Sequence, residues 1–279
     1  MWGIAMVTLR LKLSALAVVA SCAVIDAANA ADMPAPVLAP AVDVSGWYLR
    51  GDIGFSNQQV GSLFNQNYSR FDSVDNIDKG FDAAPFFGLG VGYNINNWLR
   101  ADVTGEYRAR ANFHGLDIGH TIVASPLNDW PDRYTGSKYE WTVLLNGYVD
   151  IGTWWNFTPF VGAGVGFSRN TITNFGDVNV AFPVNADAHG DTASKWNFAW
   201  ALYAGVGYRL TPAATIELAY RYINLGDATT GTMFGYTGVS DTPFEFHHLT
   251  SQDLKFGIRY SFGAYDYPPP PPPPLRSRG

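Results

Sequence analysis

Charged side chains recur at every second position in several segments of this chain, and that spacing has the largest chemical consequence in the sequence. Arg100, Asp102, Glu106 and Arg108 fall on one face of a single run, as do Arg50 with Asp52, Glu140 with Asp150, Glu217 with Arg221, and Asp253 with Lys255 and Arg259; Arg209 closes another run. The set holds seven cations and seven carboxylates. An unpaired charge in a narrow interior is costly, so equal numbers point to a mutually neutralising ion-pair network. Such a network fills and stabilises an interior. The alternative is a narrow pore in which the same charges set ion preference.

Catalysis is a poorer fit. A hydrolase needs a nucleophile, a positioned base and a third group to orient it. His114, His120, His189, His247 and His248 all lie in connecting segments, beside Asp117, Asp187, Asp191, Asp241 and Glu245, without an H-x-x-x-H spacing. Ser168 and Ser261 stand at run ends with no nearby histidine. The expectation is a non-enzyme with no catalytic residues, cofactor or metal.

Eight segments must position the charges. Each alternates an apolar with a polar residue: Trp47 to Ser56, Phe87 to Tyr93, Leu99 to Arg108, Glu140 to Ile151, Pro159 to Ser168, Phe198 to Arg209, Ile216 to Tyr222 and Asp253 to Phe262. Period-2 alternation gives each strand one apolar and one polar face, and none keeps a helical period. Eight strands without intervening helices leave a sandwich or a barrel. Connections alternate between short (Asn94 to Asn97, Thr153 to Asn156, Thr211 to Ala213) and long and polar (about 57–80, 111–137, 172–195 and 226–250). That asymmetry belongs to an eight-stranded, antiparallel, up-and-down transmembrane β-barrel, with long loops extracellular and both termini periplasmic.

Aromatic residues decide which face looks outward. Trp47, Tyr93, Trp98, Phe157, Tyr208 and Phe262 gather near one rim; Phe55, Phe87, Tyr107, Trp141, Phe167, Trp200 and Tyr222 gather near the other. Two aromatic girdles are expected where rings settle at membrane interfaces, so the apolar face is read as lipid-facing. A soluble barrel with the opposite facing is the rival. On the polar face, glycines are expected to make room for the arginines. The long connections mix Phe64, Tyr68, Phe71, Trp130, Tyr134, Phe175, Phe182, Phe234, Tyr236 and Phe244 with polar residues, packing over the barrel mouth or offering a contact surface.

The totals agree. Of 279 residues, 15% are charged and 15% aromatic, and the net charge of −6 leaves no basic stripe for nucleic acid. Residues 1–30 read as a signal peptide: Arg10 and Lys12, an apolar stretch from Leu13 to Ile25, then Ala28-Asn29-Ala30. Val19-Ala20-Ser21-Cys22 is a rival, lipoprotein-type site. Cleavage after Ala30 removes the one cysteine. Residues 31–45 form a Pro/Ala-rich linker, 46–262 the barrel, and 263–279 a periplasmic tail containing Pro268 to Pro274. Seven prolines in polyproline II span roughly 20 Å, enough to touch peptidoglycan.

Leu254-Lys255-Phe256-Gly257-Ile258-Arg259-Tyr260-Ser261-Phe262 resembles the terminal-strand signal of outer-membrane barrels. Ala31-Asp32-Met33-Pro34-Ala35-Pro36 and Gly46-Trp47-Tyr48-Leu49-Arg50-Gly51-Asp52-Ile53-Gly54 resemble the small surface antigens of rhizobia and brucellae, within the OmpA-like, opacity-type class. The resemblance implies a Gram-negative outer membrane and surroundings of lipid and lipopolysaccharide. It also implies that the barrel-assembly machinery reads Leu254, Phe256, Ile258, Tyr260 and Phe262. Here seventeen residues follow that phenylalanine. The expected function is a structural and surface-antigen role in the envelope, with a small porin as the alternative.

Overall fold

The structure is a computed structural model and describes residues 46–121, 129–181, 187–238 and 240–262. Alternating sequences rich in Val, Ile, Tyr, Phe and Trp suit a pleated surface that differs on its two sides. They form thirteen strands: β1 (Trp47–Gln59), β2 (Ser62–Phe64), β3 (Ser73–Phe81), β4 (Ala84–Asn94), β5 (Leu99–His120), β6 (Asp129–Asp150), β7 (Phe157–Asn179), β8 (Asp187–Gly190), β9 (Ala193–Arg209), β10 (Ala214–Thr229), β11 (Met233–Gly235), β12 (Ser240–Asp241) and β13 (Glu245–Ser261). Among the described residues a single 3-10 turn, Gln66–Arg70, lies between β2 and β3.

Eight of the strands close a ring. β1 pairs β4 and β13, β4 pairs β5, β5 pairs β6, β6 pairs β7, β7 pairs β9, β9 pairs β10, and β10 pairs β13, every pairing antiparallel. Closure leaves the ring without an edge. Three tight links sit at one end. Asn96 Oδ1 accepts from the Trp98 and Leu99 N–H groups, and Thr211 Oγ1 accepts from Ala213 and Ala214. Between β6 and β7, Trp155 (φ 49°) and Asn156 (φ 71°) make the left-handed two-residue turn that matches strand twist.

The faces are inverted relative to a water-soluble barrel. Leu89 is 75% exposed, and Ile53 and Leu145 are 57% exposed, whereas Arg50, Arg108, Glu106 and Asp253 are buried. Girdle rings touch across strands: Trp47–Tyr93 (5.4 Å) and Phe157–Tyr208 (4.8 Å) near the tight links, Tyr107–Trp141 (4.8 Å) and Trp200–Tyr222 (5.6 Å) at the other rim. From Trp47 to Phe55 the apolar belt of β1 spans nine residues. That falls within the roughly 9–11 residues a tilted strand needs to cross a bilayer. None of the described helices is long and apolar enough to cross one.

β5, β6 and β7 run 22, 22 and 23 residues, so each projects well beyond the belt. At roughly 3.3 Å per residue such a strand is about 70 Å long. This corrects the expectation of long polar loops: much of 57–80, 111–137, 172–195 and 226–250 is strand, here called the crown. The polarity also reverses there. Ala111, Phe113, Tyr134, Ile172, Phe175, Ile223, Leu225, Phe246 and Leu249 point inward and are buried. Register shifts accompany the change, between Arg108 and Ala111 on β5, between Thr173 and Gly176 on β7 and between Asn224 and Ala228 on β10. Phe113 and Phe175 face inward beyond them on the opposite parity, whereas Tyr134, Ile172, Ile223 and Leu225 keep the parity of the inward residues below. A one-residue shift sends the following side chains to the other face.

Candidate functional site

The lumen within the belt holds a continuous ion-pair network. Arg50 on β1 reaches Asp52 (2.9 Å), Asp102 on β5 (2.8 Å) and Glu217 on β10 (3.2 Å). Glu217 also meets Arg100 (3.2 Å) and Arg259 (3.6 Å), and Arg100 meets Asp150 (3.2 Å). From Asp52 the network passes through Lys255 (3.4 Å) to Glu106 (3.0 Å), then to Arg221 (2.7 Å) and Asp253 (2.7 Å). Arg108 joins Asp253 to Glu140 (3.3 Å), and Glu140 pairs with Lys138.

Arg50–Asp52 and Lys138–Glu140 each stay on one strand, but Arg100–Glu217, Arg221–Glu106 and Arg108–Asp253 join strands that are not neighbours and so cross the lumen. Hydroxyl and amide groups fill the gaps: Tyr48 and Asn146 donate to Asp102 (3.0 and 2.8 Å), and Tyr203 donates to Asn146 (2.8 Å). Arginine planes lie over rings, Arg100 on Tyr148 (4.3 Å) and Phe160 (4.7 Å), Arg108 and Arg221 on Phe86 (5.1 and 5.0 Å). An eight-stranded ring is just wide enough for its side chains to fill.

Thirteen of the fourteen charged residues singled out in the sequence meet in this network. Arg209 does not. It is exposed at the tight-link rim, and among the described residues no carboxylate lies within ion-pair distance of it. Its place is taken by Lys138, which lies just outside the alternating run from Glu140 to Ile151. Lys138 lies two residues before Glu140, on the same face of β6, so extending the alternation would have found it. Seven cations still face seven carboxylates.

The inner-face glycines make room for several kinds of side chain, an arginine stem among them: a Cβ on Gly90 would stand 3.0 Å from Arg50 Cγ, and one on Gly88 would stand 2.8 Å from Glu106 Cγ. A Cβ on Gly92 would stand 2.2 Å from Tyr48 Cζ, and one on Gly162 would stand 2.5 Å from the Tyr148 ring. On the outer face of β13, Leu254, Phe256, Ile258 and Tyr260 alternate outward, and exposed Phe262 follows the strand.

Above the network sits an aromatic layer. Phe113 lies 5.1 Å from Phe81, 5.0 Å from Phe246 and 6.2 Å from Phe175, joining β3, β5, β7 and β13 across the ring. The lumen is therefore filled twice, by charges in the belt and by rings in the crown.

The crown also holds the histidines, without a shared centre. His114 pairs with Asp78 (3.0 Å), His120 with Asp129 (2.7 Å), and His247 with Glu245 (3.2 Å), while His189 lies against Phe234. The Asp129 hydrogen bond raises the His120 pKa above its ordinary value. Among the described residues no three His, Asp or Glu side chains converge to hold a metal ion.

A cavity of about 440 Å³ opens beside the aromatic layer, between the Gln66–Arg70 turn and the sheet β6–β7–β8–β11–β12. All four long segments contribute to it, through Tyr68 and Phe71, Asp132 and Tyr134, Asp177 and Ala188, and Asp241 and Phe244. Beneath it, Tyr68 and Tyr134 donate to Asp117 Oδ2 (2.5 and 2.8 Å). Burial raises the pKa of Asp117, opposed by these two bonds. Burial, and then neighbouring carboxylates, push Asp177 up to about 8; burial pushes Asp132 up to about 6. These carboxyls come from separate strands, and nothing in their local spacing forecasts their meeting.

The expected signal peptide over 1–30 with Cys22, the expected linker over 31–45, Phe182 and the expected tail over 263–279 lie outside the described residues.

A family model described as outer membrane protein beta-barrel domain matches residues 14–263. An uncharacterised protein of Brucella abortus is 32% identical over 230 residues, covering 76% of this chain and 80% of that one. The outer membrane protein PagN of Salmonella typhimurium is 34% identical over 233 residues, covering 78% and 90%. A protein of Rickettsia prowazekii whose name describes a candidate adhesin is 28% identical over 225 residues, covering 76% and 87%.

Proposed function

This chain belongs to the outer membrane protein β-barrel family, and from that membership and the form of its crown we propose that it is a non-enzymatic surface protein that touches partners outside the cell. The protein resides in the outer membrane of a Gram-negative bacterium. In the proposed orientation the crown faces the exterior and the tight links face the periplasm, as the loop asymmetry of such barrels favours. The observation that carries the reading is the crown itself. Its strands continue roughly ten residues beyond the belt and acquire an apolar interior of their own. A barrel that merely filled space in the membrane would not need that structured projection. The adhesin name carried by the Rickettsia relative supports a contact role.

The filled lumen speaks against the small porin. The wall charges that would select ions are engaged with one another across the lumen. Expressing the protein on a non-adherent Gram-negative host, beside a variant with the crown shortened at the bulges, tests the proposal. Binding of the cells to mammalian cells or matrix is expected with the full crown and not with the shortened one. Equal binding by the two strains would refute the contact role. Protease access to the crown on intact cells checks the orientation.

A further inference from the structure

We propose that the crown cavity binds an organic ammonium group, supplied either by a free polyamine or by a lysine side chain of a partner. The proposal rests on the contact role above and gives that contact a chemistry. The cavity has the size of a small-molecule site, whose volumes run from roughly 300 to 1,000 Å³. Its about 440 Å³ is walled by the rings of Tyr68, Phe71, Tyr134 and Phe244 on one side. Asp132 and Asp177 face it from two neighbouring strands of the sheet. Aromatic faces and carboxylates together recognise an alkylammonium, through ring quadrupoles and charge-assisted hydrogen bonds.

The carboxylates differ in what they already hold. Both oxygens of Asp241 are engaged, Oδ2 by Asn67 (2.7 Å) and Oδ1 by the Thr242 N–H (2.7 Å). Asp117 is occupied by its two tyrosines. Asp132 Oδ1 accepts from Asn179 (2.9 Å). Asp177 Oδ1, by contrast, is shut off from solvent without a hydrogen-bond donor among the described residues. A buried acceptor left in that state costs free energy, which an N–H recovers once the Asp177 side chain turns that oxygen into the cavity the residue lines.

Metal ions are a weaker fit, since among the described residues the carboxylates do not converge on one point. The space is also large for a bare ion. Arg70, exposed at the rim, is the one basic residue among the described residues lining the cavity, and it opposes entry of a cation.

The raised Asp177 and Asp132 pKa values follow from burial without a compensating cation. An ammonium must therefore displace protons as it binds. With Asp177 near 8, its ionised fraction rises roughly fifty-fold between about pH 6 and about pH 8, and affinity is expected to rise with it.

Calorimetric titration of the full-length protein, refolded in a zwitterionic detergent, tests the site. The probes are spermidine and N-acetyl-lysine amide, with N-acetyl-norleucine amide as the uncharged control. Saturable binding of at least one amine is expected, tightening with pH and weakened at least tenfold in Asp177→Asn and Asp132→Asn. Arg70→Gln is expected to tighten it. Heat-modifiable electrophoretic mobility shows that each variant is folded. Binding of spermidine alone assigns the site to free amines; binding of the lysine amide assigns it to a partner's side chain.

No saturable binding of either amine at millimolar concentration would overturn the proposal. So would equal binding by folded Asp177→Asn and Asp132→Asn, or by the norleucine control. Cell adherence is scored separately. Adherence without amine binding sinks this site and spares the contact role, and amine binding without adherence does the reverse.

Discussion

Glu217 is the carboxylate on which the tight-link half of the lumen converges, and Glu217→Gln removes its charge at nearly constant volume. Its Oε1 lies 3.2 Å from Arg100 and 3.6 Å from Arg259, and Oε2 lies 3.2 Å from Arg50. The three arginines are not equally exposed to the loss. Arg50 retains Asp52 and Asp102, and Arg100 retains Asp150. Arg259 has no other carboxylate within ion-pair distance among the described residues, and its side chain is only 12% exposed. One near-buried cation is thus stranded. Breaking a buried pair in this way costs about 3–5 kcal/mol, and the partial exposure of Arg259 puts the expectation at the lower end, about 3 kcal/mol. At about 1.4 kcal/mol per decade, that is roughly a hundredfold shift in the unfolding equilibrium. Glu217→Gln combined with Arg259→Gln restores neutrality, and its cost should fall to about 1 kcal/mol. Urea unfolding from lipid vesicles, followed by tryptophan fluorescence, measures all three variants. A single substitution within about 1 kcal/mol of wild type, or a double no better than the single, would refute the closed-network argument.

Gly92→Val would drive a side chain into the Tyr48 ring and disturb its bond to Asp102. A loss of about 2–3 kcal/mol is expected in the same assay. Arg209→Gln should change stability by no more than about 0.5 kcal/mol, since the residue is exposed. Lys138→Met should cost clearly more, although Glu140 keeps Arg108. Crown stability should depend on pH through Asp132 and Asp177, acids held above their ordinary range when folded. Their contribution is whole below about pH 4 and is lost as pH rises through about 6 and then about 8. Hydrogen exchange in β7 and β8 should accelerate between about pH 5 and about pH 8.5, and Asp177→Asn should flatten the change.

The belt was legible because bilayer and lumen impose opposite demands on neighbouring residues. The Leu99-to-Arg108 run shows both: Leu99, Val103 and Tyr107 outside, Arg100, Asp102, Glu106 and Arg108 inside. Arg209 shows where period alone fails, because parity places a residue on a face without saying whether the strand end is open to solvent. The crown escaped for a different reason. Phe113, Phe175 and Phe246 sit among polar neighbours, and bulges break the parity that would connect them to the strands below. The cavity is further still from the sequence. Asp132 and Asp177 come together through the register of β6 on β7, where Asp132 pairs Asn179 and Tyr134 pairs Asp177. That register is a long-range outcome, invisible in either strand alone.

The reversal of polarity has a consequence for permeation. Inside the belt the exterior is lipid, so the interior carries charge; in the crown, on the proposed orientation, the exterior is water and the interior carries rings. Each half is filled by the chemistry its surroundings exclude. The two fillings stand in series along one lumen, the network of Arg50, Glu106, Arg221 and Asp253 below, and the cluster of Phe81, Phe113, Phe175 and Phe246 above. Damage to one therefore leaves the other as a barrier. Glu217→Gln should lower stability yet pass no steady current in a planar bilayer, and Phe246→Ala should also stay silent. Current is expected only when both are combined with the fold retained. A steady conductance from wild type would show that neither layer seals the ring, and one from either single variant would show that the layer left intact does not.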